Sequence, residues 1–249
     1  MHAKPQNPRT PDWDIDSMFT DRWSPRAFSS DPLSEREVQT LFEAARWAPS
    51  CYNEQPWLFI YATEPEARQR LAACLVAKNQ LWAGHAPLLM FVLARRNFQK
   101  TGKENRHAPY DAGAAWMALA LQARKLGLYA HAMAGFNLEK AYEMIGVSKE
   151  EYLVMAAIAV GRKTEDSGLP EDLRAMESPN SRKPHAEVAT RVFPLSHPAQ
   201  HAPTSEEKIE VDYSVGVASS HDLMRLMESP SRSRQDAAPT RQRSTFYRK

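Results

Sequence analysis

The sequence predicts one α+β domain, helices packed around a central sheet, and three features point to it. Apolar runs of strand length recur at Trp57–Ala62, Pro87–Ala94 and Val154–Gly161. A capping signature at Ser34-Glu35-Arg36-Glu37 opens a stretch whose apolar residues return at helical spacing. A long segment, Asp111–Leu126, is apolar on nearly every face. With 249 residues, 43% of them hydrophobic and 25% charged, the chain can bury one substantial core, while 18 prolines leave room for irregular backbone.

Residues 1–12 are rich in proline and are expected to be flexible, and Ile15–Phe19 is expected to form a short helix. Ser34 can accept from the amide three residues on, and Glu37 can reach back, so a helix is expected over about 34–47, carrying Val38, Leu41, Phe42 and Ala45 on one face. It delivers the chain to Ala48-Pro49-Ser50-Cys51-Tyr52-Asn53-Glu54-Gln55-Pro56-Trp57. Pro49 and Pro56 restrict this loop, and Ser50, Asn53 and Gln55 offer hydroxyl and amide groups from a segment with little freedom to lose. Such a loop either faces a ligand or is an ordinary connection whose amides satisfy local backbone. Trp57–Ala62 reads as a strand, Glu66–Leu75 as a helix, Pro87–Ala94 as a strand buried on both faces, and 95–110 as a basic loop. Asp111 is positioned to cap the next helix and Gly127 to end it. A helix without a polar face must be covered all round, either deep in a monomer's core or partly by a partner subunit. Val154–Gly161 reads as the last strand. Residues 194–249, rich in Pro, Ser and Arg, are expected to be a largely disordered tail.

A formal net charge of +2 gives no strong commitment to nucleic acid or membrane. Two cysteines, Cys51 and Cys74, imply no disulfide framework, and no Cys-x-x-Cys or His-Glu-x-x-His marks a metal site. The first residues lack the apolar stretch of a secretory signal, so a cytoplasmic setting is expected.

Two elements at matched distance sharpen the reading: Arg22-Trp23-Ser24-Pro25-Arg26 before the first long helix, and the Ala48–Trp57 loop after it. Downstream stand Asn79 in Ala77-Lys78-Asn79-Gln80-Leu81-Trp82, then Leu126-Gly127-Leu128 with Met133-Ala134-Gly135-Phe136, and finally Ser181-Arg182-Lys183-Pro184. In order and spacing these resemble the nitroreductase family of flavin enzymes, over roughly residues 10–193. The resemblance implies a three-layer fold with a mostly antiparallel central sheet flanked by helices, formed by 13–193, with the apolar helix buried at a homodimer interface. It implies FMN as cofactor and NADH or NADPH as electron donor. The activity implied is hydride transfer to a small electron-poor acceptor such as a nitroaromatic or quinone. A flavin-binding protein without turnover, a specialised flavin dehydrogenase and a flavin-fragmenting enzyme of the same fold remain alternatives.

The cofactor-binding residues that the resemblance implies are Arg22, Trp23, Ser24, Arg26, Pro49, Ser50, Cys51, Asn53, Gln55, Asn79, Ala134, Gly135 and Arg182. Arg22, Arg26 and Arg182 would hold the phosphate and the anionic edge of the ring, and Asn53, Gln55 and Asn79 would supply neutral hydrogen bonds. Backbone N–H groups beside Ala134 and Gly135 would face the flavin. Trp23 stands where the family often has a second basic residue, and Ala134 where many members have Glu or Gly. Trp47, Trp82 and Phe136 are expected either to line the cavity or to pack in the core. No side chain need act as acid or base, because flavin N5 carries the hydride. Cys51 has no neighbouring His in sequence to activate it, so a small packed thiol is expected there.

Overall fold

The structure is a computed structural model that describes residues 7–165 and 168–190. The chain divides into two units, Met1–Phe193 and Pro194–Lys249. The expected tail and residues 1–6 lie outside the described residues.

In the first unit the helices are α1 (Ser17–Asp21), α2 (Glu35–Arg46), α3 (Pro65–Ala72), α4 (Ala77–Ala83), α5 (Ala108–Lys125), α6 (Leu138–Ile145), α7 (Glu171–Arg174) and α8 (His185–Val188). The strands are β1 (Trp57–Ala62), β2 (Leu88–Arg95), β3 (Tyr129–Met133) and β4 (Tyr152–Gly161). They form one sheet in the order β1-β2-β4-β3, every pair antiparallel.

The sheet is the middle of three layers because β2 buries both of its faces. Leu89, Phe91 and Leu93 enter a core shared with Leu71, Trp82 and Ala141 of the α3, α4 and α6 side. Leu88, Met90, Val92 and Ala94 enter another with Val38 and Leu41 of α2 and Ala112, Ala115 and Leu119 of α5. Residues two apart on a strand share a face, so an unbroken apolar run serves two cores. At Gly161, the end of β4, an added Cβ would lie 2.7 Å from Pro87 Cδ, so that crossing requires glycine.

The capping box forms as expected: Ser34 Oγ accepts from Glu37 N–H while the Glu37 carboxylate accepts from Ser34 N–H at 2.8 Å. The α1 helix starts two residues later than expected, because the Asp16 carboxylate accepts from Met18 N–H and so caps it. Five elements were not foreseen: α4, β3, α6, α7 and α8. The expected role of Asp111 is corrected: α5 begins three residues earlier with Pro109 in its first turn, and Asp111 is a buried residue inside it. Gly127 does end α5, with φ +76° and the Leu128 N–H donating to Ala123 O at 2.8 Å, a closure that wants a residue free to adopt left-handed backbone.

The chain also leaves part of α5 uncovered. Ala112, Ala115, Leu119 and Ala123 are buried, whereas Ala114, Met117 and Leu121 are only half-buried and Tyr110 is 80% exposed. Tyr110, Ala114, Met117 and Leu121 lie at helical spacing, so they make one apolar stripe. Among the described residues no helix is long and apolar enough to cross a membrane.

Candidate functional site

The first cluster is cationic and is assembled through backbone bonds. The chain leaves α1 at half-buried Arg22 and runs extended through Trp23, Ser24 and Pro25 to half-buried Arg26. Arg9, not anticipated from the sequence, donates to Thr20 O at 3.0 Å, to Arg22 O at 2.8 Å and to Asn180 O at 2.8 Å. It thereby joins the N-terminal segment and the end of α1 to the segment bearing Arg182. Burial, and then the nearby Arg182 guanidinium, lowers the pKa of Arg22. Burial likewise lowers that of Arg9, followed by Arg182 and Arg22. These are like charges pressed together, and among the described residues no carboxylate forms an ion pair with Arg22, Arg26 or Arg182. Such a donor set fits a phosphate dianion.

Two further residues hold the Arg26 backbone. The Glu177 carboxylate accepts from the N–H groups of Arg26 and Ala27 at 2.9–3.0 Å. His131, on β3, bonds through Nδ1 to Pro25 O at 2.8 Å, which makes Nδ1 the protonated nitrogen. Burial above all brings the His131 pKa down to about 4; Arg26 and Arg22 lower it too, and the Pro25 bond opposes them. The ring is therefore neutral near pH 7.

The second cluster continues from β3. Gly135 O accepts from Val76 N–H and from Asn79 Nδ2, both at 3.0 Å. A Cβ on Gly135 would lie 2.6 Å from Asn79 Nδ2, so no other residue permits this approach. The Asn79 amide thus spends its donor on backbone and keeps its carbonyl. Ala134 is exposed and Gly135 half-buried beside it.

The third cluster is the loop before β1. Tyr52, Asn53 and Gln55 take φ of 53°, 56° and 49°. Non-glycine residues there cost about 1–2 kcal/mol each, Asn least. Local bonds hold the shape: Ser50 Oγ accepts from Gln55 N–H at 3.0 Å, Gln55 Nε2 donates to Asn53 O at 3.0 Å, and the Tyr52 ring meets Phe98 edge-on. The Cys51 N–H donates to the buried Asp111 carboxylate at 3.0 Å, which is what Asp111 does instead of capping α5. Burial, followed by the Asp111 charge, raises the Cys51 pKa, so this thiol is no ready nucleophile. Pro49, Asn53 and Gln55 remain exposed.

The clusters do not all converge within one chain. The arginines adjoin Asn79 and Gly135 by way of His131 and β3, which is one edge strand. The Ser50–Gln55 loop leads into β1, the other edge strand. It meets α5 at Asp111, whereas Trp23 shares a cavity with Arg124 near the far end of that helix. Thirteen residues of helix are about 20 Å.

The other side chains singled out from the sequence take varied surroundings. Trp23 is 5% exposed and packs edge-on against Tyr129, lining with Arg124 and Glu177 a cavity of about 240 Å³. Ser24 is half-buried. Trp82 is fully buried between Phe28 and His131, in the core. Phe136 packs edge-on against Phe91. Trp47 is 74% exposed, bonded to Glu43 and beneath the Arg46 guanidinium.

Comparison with known proteins supplies the context for this arrangement. The model of the Nitroreductase family matches residues 19–77 and 73–162, more than half of the chain. A Streptomyces coelicolor protein, provisionally named NADH dehydrogenase/NAD(P)H nitroreductase, is 26% identical over 182 residues, covering 64% of this chain and 90% of its own. A crystal structure described as an oxidoreductase containing FMN is 38% identical with a TM-score of 0.71, covering 76% of this chain and 96% of that one. A nitroreductase structure in complex with FMN, from Desulfovibrio desulfuricans, shares the fold at 24% identity and a TM-score of 0.57, over 72% of this chain and 96% of that one. The matched span runs from α1 to the end of β4 and takes in the Arg22–Arg26 segment, the strained loop and the Asn79–Gly135 pair, so the chain belongs to the nitroreductase family of FMN-dependent oxidoreductases.

Proposed function

We propose that the chain binds FMN between the Arg22, Arg26 and Arg182 cluster of one copy and the Ser50–Gln55 loop of a second, and passes hydride from NADH or NADPH to a small electron-poor acceptor such as a nitroaromatic or quinone. The observation that carries the reading is the arginine cluster, half-buried at Arg22 and Arg26 and exposed at Arg182, without an ion-paired carboxylate among the described residues. When bound, FMN would supply the redox centre.

The chain's own residues bind and orient. Arg22 and Arg182 would neutralise the phosphate, and Arg26 would stabilise negative charge at the pyrimidine edge of the ring. Asn79 would offer its free carbonyl, and Gly135, lacking a side chain, would let the backbone approach the ring. Asn53 and Gln55 would bring amides from the other copy, their reach set by the left-handed turn of the loop. The apolar stripe of α5 gives the two copies a surface to share, and an obligate interface of this kind buries on the order of 2,000 Å² or more. A cytoplasmic location belongs to the same reading, supported by two free thiols.

The test is the purified protein's visible spectrum, followed by turnover. A yellow protein that releases FMN on denaturation and oxidises NAD(P)H with a nitroaromatic or quinone supports the proposal. A colourless protein that takes up no added FMN overturns it.

A further inference from the structure

We propose that Glu177 is a positioning residue of the flavin site, setting where the Arg26 guanidinium stands by holding the two peptide groups that flank Arg26. The inference rests on the proposed FMN site. A carboxylate bonded to the backbone of Arg26 could pair with its guanidinium, yet Glu177 forms no ion pair among the described residues.

Its oxygens are spent on backbone: Oε1 accepts from Arg26 N–H and Ala27 N–H at 2.9 Å, and Oε2 accepts from Arg26 N–H at 3.0 Å. Two successive N–H groups aimed at one anion form a nest, and with Glu177 in it a ligand phosphate is left to the guanidinium groups. On the preceding residue, Pro25 O accepts from His131 at 2.8 Å. The peptides from Pro25 to Ala27 are thus gripped from two sides, by β3 and by the segment that follows α7. The Arg26 side chain has no hydrogen bond among the described residues, so the polar contacts that place this residue are those of its backbone.

The test is FMN affinity and the midpoint potential of the bound flavin in wild type and in Glu177→Ala, Glu177→Gln and Glu177→Asp, alongside apoprotein melting. Charge alone and positioning predict opposite signs. Removing a negative charge near the phosphate site would tighten FMN binding in both the Ala and Gln variants. Positioning predicts that Glu177→Ala weakens FMN at least tenfold and shifts the potential negative, because the reduced, anionic ring loses its cation. Glu177→Gln keeps an acceptor oxygen and should stay within about threefold of wild type. If the Ala variant fails to fold, Glu177→Asp decides, since it keeps the charge but shortens the reach: weaker FMN and a more negative potential support the inference. Wild-type affinity and potential in every variant that folds, or tighter binding in Ala and Gln, overturns it. Failure of wild type itself to bind FMN would instead overturn the proposed function.

Discussion

Arg26 and Arg182 differ in exposure and in what holds them, so the proposed site predicts different losses from each. Arg26 is half-buried on a gripped backbone, so Arg26→Ala should weaken FMN by about 1.5–3 kcal/mol, the worth of a charged hydrogen bond, and slow its reduction by NAD(P)H. Arg182 is exposed, and its guanidinium also donates to Asn180 O and Ser181 O. Arg182→Ala should therefore cost FMN retention more than reduction rate; fluorescence titration and stopped-flow reduction separate the two. His131 carries a pH dependence. Its folded pKa of about 4 lies below the ordinary 6.5, so between those values the unfolded chain binds the extra proton and stability falls as pH drops. That loss should reach about 3 kcal/mol by pH 4, and denaturation curves of His131→Asn should show a flatter acid limb. The arginines were legible because their residue types and order carry the resemblance. Arg9, Glu177 and His131 were not, since each acts through a main-chain carbonyl or N–H of a distant segment and no local pattern marks it.

Among elements, α2 was read from its capping box and β1 and β2 from their apolar runs, whereas α6 went unread although Asn137 caps its start and left-handed Gly146 ends it. The α4 helix has seven residues and no side-chain cap, and β3 has five residues of which His131 breaks the apolar run, so neither leaves a periodic signal. The start of α5 was readable in Pro109, since proline suits a helix's first turn, but the acidic Asp111 drew the boundary inward. The loop before β1 was legible in its residue types but not in its backbone. Gln55→Ala and Gln55→Gly both remove the amide, yet only glycine relieves φ of 49°, so the glycine variant should be the more stable of the two by about 1 kcal/mol in chemical denaturation. On α5, Leu119 faces the protomer's own core and a charge there would unfold the chain, whereas Met117 lies on the uncovered stripe. Met117→Glu should sediment as a folded monomer that has lost FMN; a flavin-loaded Met117→Glu monomer would defeat the shared site.

At the scale of the molecule, the loop and the arginines stand at opposite ends of α5, each presenting half of the proposed site. A two-fold arrangement makes two sites from four halves, every site drawing on both copies. Inheritance then follows the pair rather than the chain. An Arg26→Ala chain alone spoils both sites of its dimer, and so does a chain with its Ser50–Gln55 loop replaced. Unfolded together and refolded as a mixture, the two defective chains should yield some mixed pairs in which one site collects both lesions and the other collects none. Random pairing would restore about a quarter of all sites, so two preparations that each retain FMN poorly should together recover tightly bound flavin and turnover. A mixture that recovers neither would mean that each site is complete within one chain.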